Sequence, residues 1–140
     1  MNRICIRIRA ISFCLLTCLL YTMLSCFTVE SDPTRAIGAS MQTGEAHSLA
    51  TYFDTDLELR IDPVDVDYPS VRANQAELIM RSFFRKYPPR RFQPADQGAT
   101  AHLRYATGTY WSGARSFQVN VLMHQSTSGQ YKIHSIQVNE

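Results

Sequence analysis

The chain has 140 residues, of which 45% are hydrophobic and 19% charged, and its formal net charge is +2. This length is enough for one domain with a single core, and a charge so close to neutral argues against a nucleic-acid partner. All four cysteines lie near the N-terminus, so the rest of the chain has no thiol for a disulfide or a cysteine-ligated metal. They are Cys5, Cys14, Cys18 and Cys26.

The N-terminal segment has the features of an export signal. Three arginines precede an uncharged, largely apolar stretch that begins at Ala10, which is the order of charge and hydrophobicity in secretory signals. They are Arg3, Arg7 and Arg9. The stretch ends in Met23-Leu24-Ser25-Cys26, which approximates the motif for lipid attachment to a cysteine. We therefore expect residues 1–25 to be a lipoprotein signal peptide, Cys26 to be acylated and residues 26–33 to form a short tether.

Two alternatives to lipidation stay open. An ordinary signal peptidase would release a soluble protein, and an uncleaved segment would anchor the chain, since the uncharged run has the length of about 20 residues that a span needs. All three outcomes place the domain outside the cytoplasm, as a membrane-anchored lipoprotein of the cell envelope or a periplasmic protein. Without the three arginines, 11 Lys and Arg oppose 12 Asp and Glu, so the exported part has a net charge of −1.

The exported part is predicted to begin with two short helices. Asp32 and Pro33 make a good helix start, because the aspartate accepts from free backbone N–H groups and proline loses no bond at the first helical position. Gly44 is suited to end this helix in a left-handed conformation. A second helix is predicted from Glu45 to about Tyr52, where apolar residues follow helical spacing.

A half-buried strand is predicted from Phe53 to Ile61, because apolar and polar residues alternate there. The alternation places Asp54, Asp56 and Glu58 on one face. We interpret these carboxylates as the solvated face of the strand rather than a cation site, since the turn glycine and loop of a calcium site are missing. The acidic, proline-containing segment of residues 62–68 is expected to be a loop.

A longer helix is predicted from Val71 to about Lys86, with Ser70 as its cap, because apolar residues recur at intervals of three and four. Pro88 and Pro89 end it. Five basic residues lie near this end, where cations complement the helix dipole. They also form a candidate docking patch for anionic headgroups or polyanions. These residues are Arg81, Arg85, Lys86, Arg90 and Arg91.

The remaining residues are predicted to form an antiparallel meander of four strands. The strands run from Phe92 to about Gly98, from Ala101 to Trp111, through Phe117, Val119, Val121 and Met123, and from Tyr131 to Val138. In the second strand, alternation places Leu103, Tyr105, Thr107, Thr109 and Trp111 on one face. In the fourth strand the apolar phase slips by one residue, which predicts a β-bulge near His134 and Ser135.

Short motifs follow one another along residues 34–140. They are Ile37-Gly38-Ala39, Gly44-x-Ala46-x-x-Leu49-Ala50-x-Tyr52-Phe53-Asp54 with Leu57-Glu58-Leu59, Gln75-Ala76-Glu77, Phe83-Phe84 with Pro88-Pro89, Gln97-Gly98, Tyr105-Ala106-x-Gly108 and Tyr131-x-Ile133-x-x-Ile136. In order and spacing they resemble the domain of unknown function 4783 family of small exported Bacteroidota proteins. The resemblance implies the α+β cone of nuclear transport factor 2-like domains, in which N-terminal helices pack on a curved, mostly antiparallel sheet.

The resemblance implies a cone cavity and no established reaction. Aromatic residues are the candidate lining of that cavity, although ordinary core packing explains them as well. They are Tyr52, Phe53, Phe83, Phe84, Tyr105, Trp111 and Phe117. We therefore expect a non-catalytic module that binds a small apolar ligand or another protein, with a ketosteroid-isomerase-like enzyme as the alternative. Domains of this fold commonly dimerise through the sheet, which would bury Leu122, Gln118 and Asn120.

The sequence has no recognised catalytic, cofactor or metal motif. A P-loop, a dinucleotide fingerprint and a nucleophile elbow are all missing. The gaps between the four histidines match no zinc-site spacing, so we interpret these residues as surface or strand-edge positions. They are His47, His102, His124 and His134. We therefore expect no enzymatic activity, no cofactor and no metal.

Overall fold

The computed structural model describes residues 32–140. The predicted signal peptide, the lipidation site Cys26 and nearly all of the predicted tether lie outside the described residues. The helices are α1 (Pro33–Thr43), α2 (Ala46–Ala50) and α3 (Ala73–Lys86), with a short 3₁₀ turn at Asp62–Val64. The strands are β1 (Phe53–Ile61), β2 (Val66–Arg72), β3 (Arg91–Ala99), β4 (Leu103–Ser112), β5 (Arg115–Gln125) and β6 (Tyr131–Asn139).

Both ends of α1 follow from its sequence. The Asp32 carboxylate accepts a hydrogen bond of 3.1 Å from the backbone N–H of Thr34, and Pro33 occupies the first turn. Gly44 ends the helix at a φ of 72°, and its N–H donates to the carbonyl of Ser40. This left-handed conformation is one that glycine adopts without strain. The predicted start and end of the helix are confirmed.

The segment before α3 differs from the prediction. The expected loop contains the 3₁₀ turn and the first residues of β2, which continues to Arg72. Ser70 and Val71 therefore belong to the strand, and α3 begins at Ala73 without a side-chain cap. β2 pairs antiparallel with β1, which satisfies its backbone groups. Proline is tolerated at Pro69 because β2 is an edge strand whose pairing is irregular at that point.

The six strands form one curved sheet in the order β2-β1-β6-β5-β4-β3. β1 and β6 are parallel, and all other neighbours are antiparallel, so the predicted meander from β3 to β6 is confirmed. In β6 the partner of Leu122 is Ser135 and that of Met123 is Ile133, which leaves His134 as the extra residue of a bulge. This bulge confirms the predicted phase slip.

The helices pack on one face of the sheet, called here the inner face, and the core lies between them. Its buried residues come from all three helices and from β1, β4, β5 and β6. They include Ile37, Met41, Leu49, Leu57, Leu59, Ile61, Met80, Phe83, Tyr110, Phe117, Met123, Ile133, Ile136 and Val138. Within residues 32–140, none of the helices is both long and apolar enough to cross a bilayer.

The predicted apolar face of β4 is the outer face of the sheet. Leu103 and Tyr105 are 45% and 43% exposed, whereas Tyr110 is fully buried among the helices. The inner face of β4 carries Arg104, Ala106, Gly108 and Tyr110, and Ala106 and Gly108 have little or no side chain. The predicted alternation is therefore present, but Tyr105 and Trp111, two predicted cavity residues, lie on the outer face.

Candidate functional site

A cleft of about 660 Å³ opens between α1 and the inner face of β3, β4 and β5, and we call it the α1 cleft. One side is α1, from Thr34 to Gln42, and the other is the middle of β3. Its lining residues are Asp32, Thr34, Arg35, Ile37, Gly38, Ala39, Met41, Gln42, Phe92, Pro94, Ala95, Asp96, Gln97, Ala106, Thr107, Val119 and Val121. This volume falls in the range of pockets that hold small molecules.

The floor of the α1 cleft is apolar. Ile37 and Met41 reach it from α1, and Val119 and Val121 reach it from β5. All four are buried core residues. Ala106 lies between them on β4, and its small side chain leaves space above the sheet. A ligand seated here would therefore contact hydrocarbon on both sides.

Gln42 ties α1 to the start of β3. Its side-chain oxygen accepts a 2.7 Å hydrogen bond from the backbone N–H of Phe92, and its Nε2 donates to the carbonyl of Arg90. These bonds hold the Phe92 ring against the cleft and fix the separation of the helix from the strand. The shape of the cleft thus depends on the hydrogen bonds of a polar side chain, Gln42.

The rim of the cleft is polar where β3 is irregular. The pairing of β3 with β4 shifts between Pro94 and Gln97, and this irregular segment lines the rim. The backbone N–H of Asp96 donates to the Thr107 hydroxyl at 3.1 Å, and its carboxylate accepts a 3.2 Å hydrogen bond from the Tyr105 hydroxyl. That hydrogen bond and the carboxylate charge raise the pKa of Tyr105.

The opposite end of the cleft is bounded by an ion pair. Nη1 of Arg104 lies 3.4 Å from the Asp32 carboxylate that caps α1, and the Arg104 guanidinium stacks 4.2 Å from the centre of the Tyr131 ring. The cleft is therefore apolar at its floor and lined at both ends by groups that form hydrogen bonds.

Among the described residues, none of the seven predicted cavity residues lines the α1 cleft. Phe83, Phe84 and Phe117 instead form an aromatic cluster with Tyr87 and Tyr110 in the core. The Tyr110 hydroxyl donates to the Tyr87 carbonyl, and burial raises the pKa of Tyr110. These aromatic residues are therefore part of the packed core.

The other predicted lining residues lie away from the cleft. Phe53 is buried in the core, and Tyr52 packs against the core beside α2. Tyr105 and Trp111 lie on the outer face, where Tyr105 is paired with Leu122 of β5. The residues that do line the cleft are mostly small or lie in the irregular part of β3. The aromatic content of the sequence does not indicate such residues.

The predicted cationic patch is partly engaged by neighbouring side chains. Arg81 forms an ion pair of 2.6 Å with Glu77, and Arg91 bonds Gln93 and lies over the Trp111 ring. Lys86 lies 5.6 Å from the centre of the Tyr87 ring. Arg85 lies in the last turn of α3, and Arg90 donates its backbone N–H to Trp111. Docking of an anionic partner here stays a prediction.

The outer face of the sheet carries the residues predicted for a dimer. Leu122 is 37% exposed, Gln118 is exposed and Asn120 is half-buried. Leu103 and Tyr105 of β4 lie on the same face, so a modest apolar area surrounds Leu122. Association through this face stays a prediction.

Comparison with known proteins identifies both a family and a fold. The family model Domain of unknown function (DUF4783) matches residues 34–139. A DUF4783 family protein from Bacteroides ovatus is similar in its crystal structure, with a TM-score of 0.69 and 22% identity over 75% of this chain and 92% of that chain. A DUF4783 family protein from Bacteroides uniformis has a TM-score of 0.70 and 20% identity, over 76% of this chain and 94% of that chain.

The similarity extends to a more distant fold relative. An NTF-2 like protein from Burkholderia xenovorans has a TM-score of 0.53 and 11% identity, over 74% of this chain and 76% of that chain. No curated protein matches the chain. The structural matches confirm the predicted α+β cone. The two Bacteroides chains, which have this fold, consist almost entirely of the matched region.

Proposed function

Because the chain belongs to the DUF4783 family and has a nuclear transport factor 2-like fold, we propose that it is a small-ligand-binding module of the cell envelope. The α1 cleft is the binding site in this proposal. The observation that carries it is the combination of a 660 Å³ volume with an apolar floor and polar ends. Small-molecule sites have this character, since apolar surface supplies affinity and a few polar groups fix orientation.

The cleft suits a ligand with an apolar body and a hydrogen-bonding group. Ile37, Met41, Val119 and Val121 offer hydrocarbon to the body of such a molecule. At the rim, the Gln97 amide offers both a donor and an acceptor. Arg35, in the first turns of α1, adds a positive charge at the other side.

Filling the cleft should abolish binding. We expect Ala106→Trp to weaken the affinity for the fluorescent probe anilinonaphthalene sulfonate by at least about tenfold, equal to about 1.4 kcal/mol. The indole would occupy the space above the sheet between α1 and β5. The measurement is a fluorescence titration of residues 32–140, together with native mass spectrometry of protein purified from its own membrane, which should retain a small adduct.

The matched control is Leu103→Trp, which places the same side chain on the outer face of the same strand. Probe binding should be unchanged in this variant. Equal affinities in the wild type and both variants would show that the probe does not bind in the α1 cleft and would contradict the proposal.

Attachment to the membrane is the second part of the proposal. The arginines before the apolar stretch and the Met23-Leu24-Ser25-Cys26 motif support cleavage before Cys26 and acylation of its thiol. We expect intact-mass analysis of the protein from its native membrane to give a chain that starts at Cys26 and carries lipid. Cys26→Ala should remove the lipid mass. A chain that begins after residue 26 without lipid, or that retains Met1, would contradict this attachment.

A further inference from the structure

Three potential metal ligands meet on the outer face of the sheet, opposite the α1 cleft. They are Asp54 of β1, His124 of β5 and His134 of β6, and one ligand atom from each lies within 4.8 Å of the other two. Nε2 of His124 is 2.8 Å from a carboxylate oxygen of Asp54. The rings of His124 and His134 are stacked, with centroids 5.2 Å apart and planes inclined by 22°.

The pairing of β6 with its neighbours explains this arrangement. His124 is paired with Lys132, which therefore lies on the outer face of β6. Because side chains alternate along a strand, the second residue after Lys132 lies on the same face. That residue is His134, the extra residue of the bulge, which has no partner of its own on β5. Asp54 follows Phe53, the parallel partner of Ile133, and so lies beside His134. Three strands of one sheet therefore carry the three side chains.

The donor set is typical of a transition-metal site. Imidazole nitrogen and carboxylate oxygen bind Zn²⁺ at about 2.0–2.2 Å, so two ligand atoms in a tetrahedral site are about 3.3 Å apart. The contact between His124 and Asp54 is already shorter than this. Since the three atoms lie within 4.8 Å of one another, His134 needs a shift of at most about 1.5 Å. All three side chains are partly or fully exposed to solvent, which leaves room for that adjustment.

The neighbouring charged groups leave the site accessible. Lys132 lies opposite His124, but its Nζ donates to the carbonyl of Thr51 at 3.0 Å. On the other side, Glu58 accepts hydrogen bonds from the side chains of Ser135 and Gln137. These bonds fix β6 directly after the bulge and so hold the backbone that carries His134.

We propose that Asp54, His124 and His134 bind a divalent transition-metal ion of the Zn²⁺ type. Two imidazoles and one carboxylate supply three ligands and leave the remaining coordination positions to water or to a donor from another molecule. The set is poor for Mg²⁺ and Ca²⁺, which prefer oxygen ligands throughout. The site is separate from the α1 cleft, so either one can fail experimentally without the other.

The test is a zinc titration of residues 32–140, which contain no cysteine. We expect one Zn²⁺ per domain with a micromolar dissociation constant by calorimetry, and shifts of the imidazole signals of His124 and His134 by NMR. Affinity should fall as the pH is lowered, because protons compete for the imidazole nitrogens. Mg²⁺ at the same concentrations should leave these signals unchanged.

Three variants locate the site. We expect His124→Ala, His134→Ala and Asp54→Asn each to weaken zinc binding strongly, because each removes a ligand. The loss should exceed the roughly 10- to 100-fold decrease in affinity that follows removal of an outer-shell partner. The control is His102→Ala, an exposed histidine outside the cluster, which should bind zinc like the wild type. Amide spectra of each variant check that the fold is retained. Absence of zinc binding, or binding that survives both histidine substitutions, would overturn the proposal.

Discussion

Replacing Phe83 by alanine is expected to lower the free energy of unfolding by about 3–5 kcal/mol. Phe83 is 1% exposed, and its ring centre lies 5.5 Å from those of Tyr87 and Tyr110 and 5.9 Å from that of Phe117. Alanine would leave a cavity at the centre of this aromatic cluster and remove several edge and tilted ring contacts. Urea unfolding followed by circular dichroism measures the change.

The matched control is Leu78→Ala on the same helix. Leu78 is 52% exposed, so its truncation should change the unfolding free energy by about 0.5 kcal/mol or less. Phe83→Leu should fall between the two, because most of the buried volume is kept. If Phe83→Ala were as stable as Leu78→Ala, the cluster would not be the packed centre of the core.

Replacing Gly108 by valine is expected to cost about 3 kcal/mol, the upper end of the usual range for overpacking. A Cβ at this position would lie 2.4 Å from Cζ of Phe92 and 2.9 Å from the carbonyl oxygen of Gln93. The ring can rotate away only by moving from its place beside the α1 cleft, and the backbone oxygen cannot yield without disturbing the pairing of β3 with β4. Thermal and urea unfolding measure the loss.

Gly38, a second glycine beside the Phe92 ring, provides the control. A Cβ on Gly38, in α1, would lie 3.6 Å from the Phe92 ring, which is ordinary van der Waals contact. Gly38→Ala should therefore raise stability by up to about 1 kcal/mol through helix propensity alone. A stable Gly108→Val variant with unchanged probe binding in the cleft would contradict the packing assigned to Phe92.

The sequence predicted best those elements whose local signals agree with their tertiary environment. The cap at Asp32, the left-handed Gly44, the whole of β1 and the bulge at His134 are all as expected. β2 was missed because it contains Pro69 and most of its side chains are exposed, and its only described sheet neighbour is β1. The start of α3 was placed two residues early for the same reason.

The candidate sites were harder to predict than the fold. The α1 cleft is formed by the absence of side-chain volume at Ala106 and Gly38 and by the irregularity of β3, and neither has a strong sequence signal. The proximity of His124 and His134 was easier to predict, since the predicted hairpin already placed them on adjacent strands. The contribution of Asp54 depends on the parallel pairing of β1 with β6, which joins the two ends of the domain and has no local signature.

That parallel pairing also determines when the domain can fold. β6 is the last of the strands within residues 32–140, yet it lies in the sheet between β1 and β5. β1, the first of these strands, therefore has no partner on that side until β6 is available. Contacts so distant in sequence delay folding, because loop closure precedes any gain from pairing. During synthesis, β1 can therefore acquire its second neighbour only after the residues of β6 have left the ribosome, whereas β3, β4 and β5 can pair with one another earlier.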